Sequence, residues 1–331
     1  MYYLTNQKIT KIDPITFSEL DLREENIEEM LRKNIDMLCD EEESLLVVGQ
    51  QVQNASSGRS DLTAIDNNGN LVLIEIKRDL KDIVARKEAF EFQAIRYAAS
   101  YGTILSVDHL VHKIYAPYIE KYKDEFDLSI LTAHELASRK LIDFLEANEA
   151  ESTFNQKQRI ILVASAFDEQ TLSAVAWMNN NGVDISCFKL VPYQLAALEE
   201  TALIGVEKIL PVPQVAEFYL NLLDKRERSS VKSSIKRRVL PKIATMLEWG
   251  VVKPGDTIVA KDRENEAQLQ ANGNVLVDGV EQSMQAWLKE IFGWSSIQTY
   301  VFAVHKETGK TLYEIREEYM EKGSDLSEEL P

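Results

Sequence analysis

Cysteine is nearly absent from the chain: of 331 residues, only Cys39 and Cys187 carry a thiol. Two cysteines so far apart match neither a zinc-ligand spacing nor a redox pair, and free thiols in a reducing cytosol are the expectation they support. Long apolar runs are missing too. No stretch of about 18 apolar residues occurs, so no membrane span and no membrane partner are expected. The opening MYYLTNQKITKID holds no apolar core of a secretory signal, and the expected location is the cytoplasm. Histidine is sparse: His109, His112, His134 and His305 lie scattered, and no chemistry is assigned to them. Positive charge is also in deficit, with 37 Lys and Arg against 54 Asp and Glu and a net charge of −17. So acidic a surface repels phosphate at long range and argues against indiscriminate nucleic-acid binding.

What is present is the material of a globular protein, with 45% hydrophobic and 27% charged residues. The length favours two domains. Charge is unevenly spread: Lys225 to Lys242 (KRERSSVKSSIKRRVLPK) holds eight Lys or Arg against one Glu. A basic stripe of this kind lets local DNA contact coexist with a negative total; a solvated linker or helix face is the equal alternative. Within it, Lys232, Lys236, Arg237 and Arg238 are the candidate DNA-binding residues.

Residues 1–200 alternate strand-like and helix-like patterns, which predicts an α/β domain. Apolar Ile27, Leu31 and Leu38 fall at helical spacing in DLREENIEEMLRKNIDML, and LLVVGQQV reads as a strand. SDLTAID and LVLIEIK flank DNNGN, a hairpin signal. A helix is expected from about 83 to 101, then strand RIILVAS, a helical segment ending at Trp177–Met178, and strand GVDISCFKL. That order favours a parallel crossover in one sheet. Residues 201–230, with Pro211 and Pro213, read as a connector. A second, small α+β domain is expected over 231–323, and an acidic tail over 324–331.

The hairpin carries the chemistry. Asn67-Asn68-Gly69 suits a three-residue loop whose glycine takes a positive φ. That register pairs Asp66 with Asn70 and sets Asp61 opposite Glu75. Lys77, two residues after Glu75, points to the same side. Two opposed carboxylates repel unless something neutralises them. A hard divalent cation does so, since Mg²⁺ binds through one or two carboxylates and keeps water and phosphate as its other ligands. Lys77 beside them could hold or deprotonate a water, or offset charge in a transition state. The bland alternative is a charged strand face in which Lys77 pairs with one acid.

The segment SGRSDLTAIDNNGNLVLIEIKRD resembles the D…E-x-K signature of PD-(D/E)XK nucleases, and is similar in particular to the catalytic domain of the NucS/EndoMS endonucleases. A helix bearing Glu24, Ile27, Leu31 and Asn34 resembles the family's acidic first helix. Gln93 and Tyr97 match the Q-x-x-x-Y motif of several branches. The resemblance covers about 20 to 105 by motif and extends more loosely to about 195. It implies a restriction-endonuclease-like mixed sheet flanked by helices, with Asp61, Glu75, Lys77, Gln93 and Tyr97 catalytic and Glu24, Asp61 and Glu75 holding Mg²⁺ or Mn²⁺. Glu25 and Glu28 are the alternatives to Glu24, and a capping box with Asp21 is its structural alternative. Gln93 and Tyr97 could be a mere surface hydrogen-bonded pair, but within this signature contact with the phosphate backbone or orientation of Lys77 is the favoured reading, with neither a metal ligand. MLEWGVVKPGDTIVAKDRENEAQLQANGNVLVDGVEQSMQAWLKEIFG resembles the RAMA domain, a module of restriction and methylation enzymes. Trp249, Trp287, Trp294 and Tyr300 could stack on bases there, although core packing is the reading their bulk favours.

The sequence departs from the NucS pattern, since no counterpart of the N-terminal domain that precedes the nuclease there is expected in it, so mismatch specificity and clamp partnership are not carried over. The implied function is metal-dependent DNA endonuclease, in genome defence or repair, with DNA as substrate and the second domain aiding recognition. A non-catalytic DNA-binding or regulatory protein on a nuclease fold is the alternative. A second copy of the chain is a candidate partner; a small-molecule substrate is not expected.

Overall fold

A computed structural model of the chain describes residues 1–5, 7–39, 41–53, 58–85, 88–194, 202–212 and 240–326. The chain divides into two compact units, Met1–Leu38 with Val47–Arg237, and Cys39–Leu46 with Arg238–Pro331. The basic cluster Lys232, Lys236, Arg237 and Arg238 lies outside the described residues.

The first unit opens with a hairpin of β1 (Tyr2–Thr5) and β2 (Lys8–Lys11). Helix α1 (Glu24–Lys33) follows, then a 3₁₀ turn at Ile35–Leu38. Strands β3 (Leu45–Gln53), β4 (Arg59–Asp66) and β5 (Leu71–Lys77) come next. After them run helices α2 (Leu80–Val84), α3 (Phe90–Tyr101), α4 (Val107–Leu110), α5 (Ala116–Lys121) and α6 (Ala133–Ala147). Strand β6 (Gln158–Ala164), helix α7 (Glu169–Asn180), strand β7 (Ile185–Gln194) and strand β8 (Ala202–Leu210) complete it.

These strands make a six-stranded mixed sheet in the order β3-β4-β5-β6-β7-β8. β4 and β5 are antiparallel, β5-β6-β7 are parallel, and β8 returns antiparallel to β7. Parallel neighbours need a crossover, supplied by α2 to α6 before β6 and by α7 before β7. All seven residues of β5 are buried, as suits a central strand covered on both faces. A mixed α/β sheet flanked by helices is therefore what the alternating pattern gives.

The structure differs from expectation in three places. Residues 202–210, expected in a connector, form strand β8. Its sequence ALIGVEKIL breaks period-two alternation, and Glu207 and Lys208 are residues that suit a sheet edge. The single helix expected over 83–101 is divided into α2 and α3. The acidic tail expected from 324 begins inside the last helix, described below.

The second unit holds α8 (Ile243–Glu248), β9 (Thr257–Ala260), β10 (Glu266–Leu269), β11 (Val275–Val277) and β12 (Val280–Gln282). Then come α9 (Met284–Phe292), α10 (Thr299–Phe302), β13 (Ala303–His305), β14 (Lys310–Thr311) and α11 (Leu312–Leu326). Its sheet is antiparallel, in the order β12-β11-β10-β9-β13-β14. The segment 39–46 belongs to this unit by side-chain chemistry as well as by position. Buried Arg316 donates to both oxygens of Glu42, at 2.6 and 3.1 Å, and lies over the Tyr300 ring at 4.4 Å. Ser296 Oγ donates to Glu43 O at 2.9 Å, and Ser44 Oγ accepts the Gln298 N–H at 2.9 Å. Trp287, Trp294 and Tyr300 are buried core aromatics, while half-buried Trp249 stacks on Tyr319 at 4.4 Å.

Candidate active site

The hairpin fixes the site. Ile65 pairs with Leu71, Ala64 with Val72, Thr63 with Leu73 and Leu62 with Ile74. Gly69 takes φ +78°, which a side chain disfavours, and its N–H reaches Asp66 O at 2.9 Å. The Asp66 carboxylate secures the turn by accepting the N–H groups of Asn68 at 3.0 Å and Asn70 at 2.9 Å. In this register Asp61 and Glu75 are the next residues to meet. There a side chain takes over from the ladder, with Asp61 Oδ2 accepting the Ile76 N–H at 2.7 Å.

Both acids are buried, and Glu75 Oε2 has no hydrogen-bond partner. Burial pushes the Asp61 carboxyl up to about 6, against the pull of Lys77 and of the Ile76 N–H. Burial, and then the charge of Asp61, raise Glu75 well above the usual carboxylate range. An orphaned oxygen on a buried acid is costly and asks for an explanation.

Lys77 is only 3% exposed. Its ammonium donates to Glu24 Oε1 at 2.8 Å and to Ile76 O at 2.5 Å, and stands 3.8 Å from Glu75 Oε1. The Phe90 ring closes one side, with its centroid 5.7 Å from Nζ. Burial works against the charged amine, but Asp61, Glu75 and Glu24 outweigh it and hold the pKa above the ordinary lysine value. Lys77 is therefore a cation in a cage of oxygens, well short of a free base.

Helix α1 brings its acids to the same place. Asn26 caps the helix start, accepting the Arg23 N–H at 2.8 Å, so Glu24 is free of the capping role and reaches Lys77. One turn on, Glu28 is almost fully buried. Gln51 Nε2 donates to Glu28 Oε2 at 2.5 Å, and Oε1 has no partner. Burial raises Glu28 to about 7, with the charge of Asp61 adding to it and the Gln51 and Gln50 side chains and the Lys121 charge opposing it. Gln51 itself adopts φ +53° within β3, a left-handed conformation that costs a non-glycine residue roughly 1–3 kcal/mol.

Gln93 and Tyr97 share a face of α3, with Gln93 Nε2 donating to the Tyr97 hydroxyl at 3.2 Å. Tyr97 is buried, and a Cβ on Gly58 would collide with its hydroxyl. The structure thus joins the pair to each other and to the start of β4. Tyr101 continues that face. Its hydroxyl meets Ser60 Oγ and Thr63 Oγ1, both at 2.5 Å, and burial pushes it to about 12 with Glu75 and Asp61 adding to the effect. Gln51 and Tyr101 were absent from the expected site. Tyr101 follows Tyr97 at the same four-residue step that links Gln93 to Tyr97, so spacing alone would have found it. Gln51 carried no such signal.

Among the described residues, no three His, Cys, Asp or Glu side chains are already gathered as a metal cage. No described helix is long and apolar enough to cross a membrane. Comparison of the chain with protein-family models, curated proteins and solved structures found no match.

Proposed function

We propose that the chain is a PD-(D/E)XK-type, divalent-metal-dependent DNA endonuclease acting in genome defence or repair. The observation that carries this reading is the Lys77 ammonium, held by Glu24, Ile76 O and Glu75 beside the buried Asp61. A positive charge already sits among hard oxygens, the donor chemistry that Mg²⁺ and Mn²⁺ take. The unpartnered Glu75 Oε2 fits the same group, because a cation would satisfy it. Asp61 and Glu75 would hold the ion, with Glu24 or its helix neighbour Glu28 supplying the α1 carboxylate. When bound, a divalent ion supplies Lewis-acid polarisation of the scissile phosphate.

The chain's own residues do the rest. Lys77 stays protonated at neutral pH, so it acts as a donor that offsets charge building on the phosphoryl oxygens, and the water-deprotonating role is set aside. The Ile76 N–H holds the Asp61 carboxylate in place. Gln93 and Tyr97 would orient the DNA backbone near Lys77. Water adds to phosphorus as the P–O ester bond breaks, and the proton that water gives up passes through solvent to the leaving oxygen. The second unit, RAMA-like in sequence, would aid DNA recognition together with the basic segment.

The test is incubation of the full chain with supercoiled, linear and single-stranded DNA, with Mg²⁺, Mn²⁺ or EDTA. Divalent-dependent cleavage, lost in Asp61→Asn and Glu75→Gln, is expected. A folded parent protein that cuts none of these substrates with either ion removes the endonuclease reading.

A further inference from the structure

The second unit contains a cleft of about 140 Å³ that the endonuclease reading does not use. Glu41, Ile243, Asn274, Met284, Thr299 and Tyr300 line it, all from that unit. A cavity of about 150 Å³ holds a six-membered carbon ring, so there is room here for a small organic group.

Thr299 points to an occupant. It is 2% exposed, and its Oγ1 has no hydrogen-bond partner. Valine would fill the same space without a buried hydroxyl left open, which costs stability. Glu41 is fixed beside it. Its carbonyl oxygen accepts the Thr299 N–H at 2.8 Å, and its Oε2 accepts the Tyr300 hydroxyl at 3.2 Å. That hydroxyl accepts the Ile243 N–H at 2.8 Å. Burial, and then the Glu41 charge, raise its pKa, so it stays a donor. Lys242 Nζ stands 3.8 Å from Glu41 Oε2, but its side chain is 72% exposed and so exposed a pair is weak. Across the cleft, Asn272 and Asn274 spend their amide nitrogens on Glu281 Oε1 at 2.7 and 2.8 Å. Asn274 therefore has its side-chain oxygen left to offer. Gly273 between them takes φ +85°, and a Cβ there would lie 2.5 Å from Ile243 Cγ2, so the turn sits tight against the apolar wall.

What the cleft presents is acceptors: a carboxylate, an open hydroxyl and an amide oxygen, beside Ile243 and buried Met284. Their complement is a positive group with several N–H donors on a short carbon stem. We propose that this cleft binds a small organic cation, an alkylammonium or guanidinium, either free or at the end of a lysine or arginine side chain. Glu41 takes the charge, Thr299 and Asn274 accept N–H groups, and Ile243 and Met284 pack on the carbon stem. The site does not depend on the endonuclease reading, and its carboxylate repels phosphate.

The experiment follows the Met284 methyl signal of the full chain labelled with ¹³C-methyl methionine, assigned through Met284→Leu, with thermal midpoints alongside. Butylammonium and N-methylguanidinium chloride are titrated at constant ionic strength, against butanol and butyrate as neutral and anionic counterparts. Both cations should shift the signal saturably, and butanol and butyrate should not. Glu41→Gln should weaken cation binding roughly tenfold or more, the worth of a hydrogen bond to a charged group. Thr299→Val should weaken it roughly fivefold without lowering the midpoint, because the unpaired hydroxyl is gone. The amides of N-acetyl-lysine and N-acetyl-arginine separate the sources: tighter binding than the free cations assigns a protein side chain, weaker binding a free small molecule. If butanol binds as tightly as butylammonium, the cleft is an apolar nook and the proposal falls. If no ligand moves Met284, the cleft holds water only. If Thr299→Val lowers the midpoint and binds cations like the parent, the hydroxyl is structural and the assignment is wrong.

Discussion

Asp61→Asn should stabilise the metal-free protein at high pH and destabilise it in the presence of a divalent cation. The residue is buried, and its carboxyl titrates at about 6 against an ordinary 3.8. Asparagine keeps an oxygen to accept the Ile76 N–H and removes the charge. The sign follows from proton counting. Between about pH 4 and 6 the folded state holds a proton that the unfolded chain has released, so stability falls as pH rises through that window. The loss approaches about 3 kcal/mol above pH 6, since a tenfold change in proton affinity between the two states is worth about 1.4 kcal/mol. The cost of burying a charge, which chiefly raises this pKa, is absent from the uncharged variant. In EDTA at pH 8, chemical unfolding should therefore give Asp61→Asn up to about 3 kcal/mol more stability than the parent, shrinking toward zero near pH 4. Millimolar Mg²⁺ should reverse the order, because an ion that binds only the folded parent stabilises it by mass action. A variant less stable than the parent in EDTA at pH 8, or a difference that ignores pH, would refute the reasoning.

Lys77→Met should reduce single-turnover DNA cleavage by roughly 100-fold or more, with DNA affinity by fluorescence anisotropy nearly unchanged; a variant that cleaves normally reassigns Lys77 to a structural ion pair. Gly58→Ala drives a methyl into the Tyr97 hydroxyl, so cleavage should fall while Mn²⁺ affinity holds, and an unchanged rate would leave Tyr97 as packing. Arg316→Met strips Glu42 of its buried partner and should cost the second unit about 3 kcal/mol in thermal unfolding. Adding Glu42→Leu should recover part of that, and no recovery would show that Arg316 acts through the Tyr300 ring instead.

The hairpin was legible because two independent signals agree on it. Strand alternation fixes which side chains share a face, and the Asn-Asn-Gly loop fixes the register, so Asp61, Glu75 and Lys77 could be brought together on paper. Strand β8 was hidden because edge strands carry charge, as Glu207 and Lys208 do, and lose the pattern of a buried strand. The end of α11 was missed for a related reason. Polar, charged sequence reads equally well as tail or as exposed helix, and the structure continues the helix to Leu326. On α1 the sequence offered Glu24 with Glu25 and Glu28 as alternatives, and the structure gives the Lys77 ammonium to Glu24. The segment 39–46 joins a unit whose other residues follow 237, and only the Glu42–Arg316 pair and its neighbours reveal it. Contacts this distant in sequence leave no periodic trace.

At the site proposed above, a proton and a divalent cation would compete for the same oxygens. Asp61, Glu75 and Glu28 all titrate above the ordinary range, each first because it is buried. Without a cation, such a group avoids the cost of buried charge by holding a proton. On the proposed reading a divalent ion would displace that proton, so its binding should release protons and strengthen as pH rises. Lys77 belongs to the same balance, because its ammonium offsets part of the negative charge of Asp61, Glu75 and Glu24. A structural role for these acids would have been served better by satisfied, neutral side chains. The oxygens left open at Glu75 and Glu28 are instead those that a cation would close.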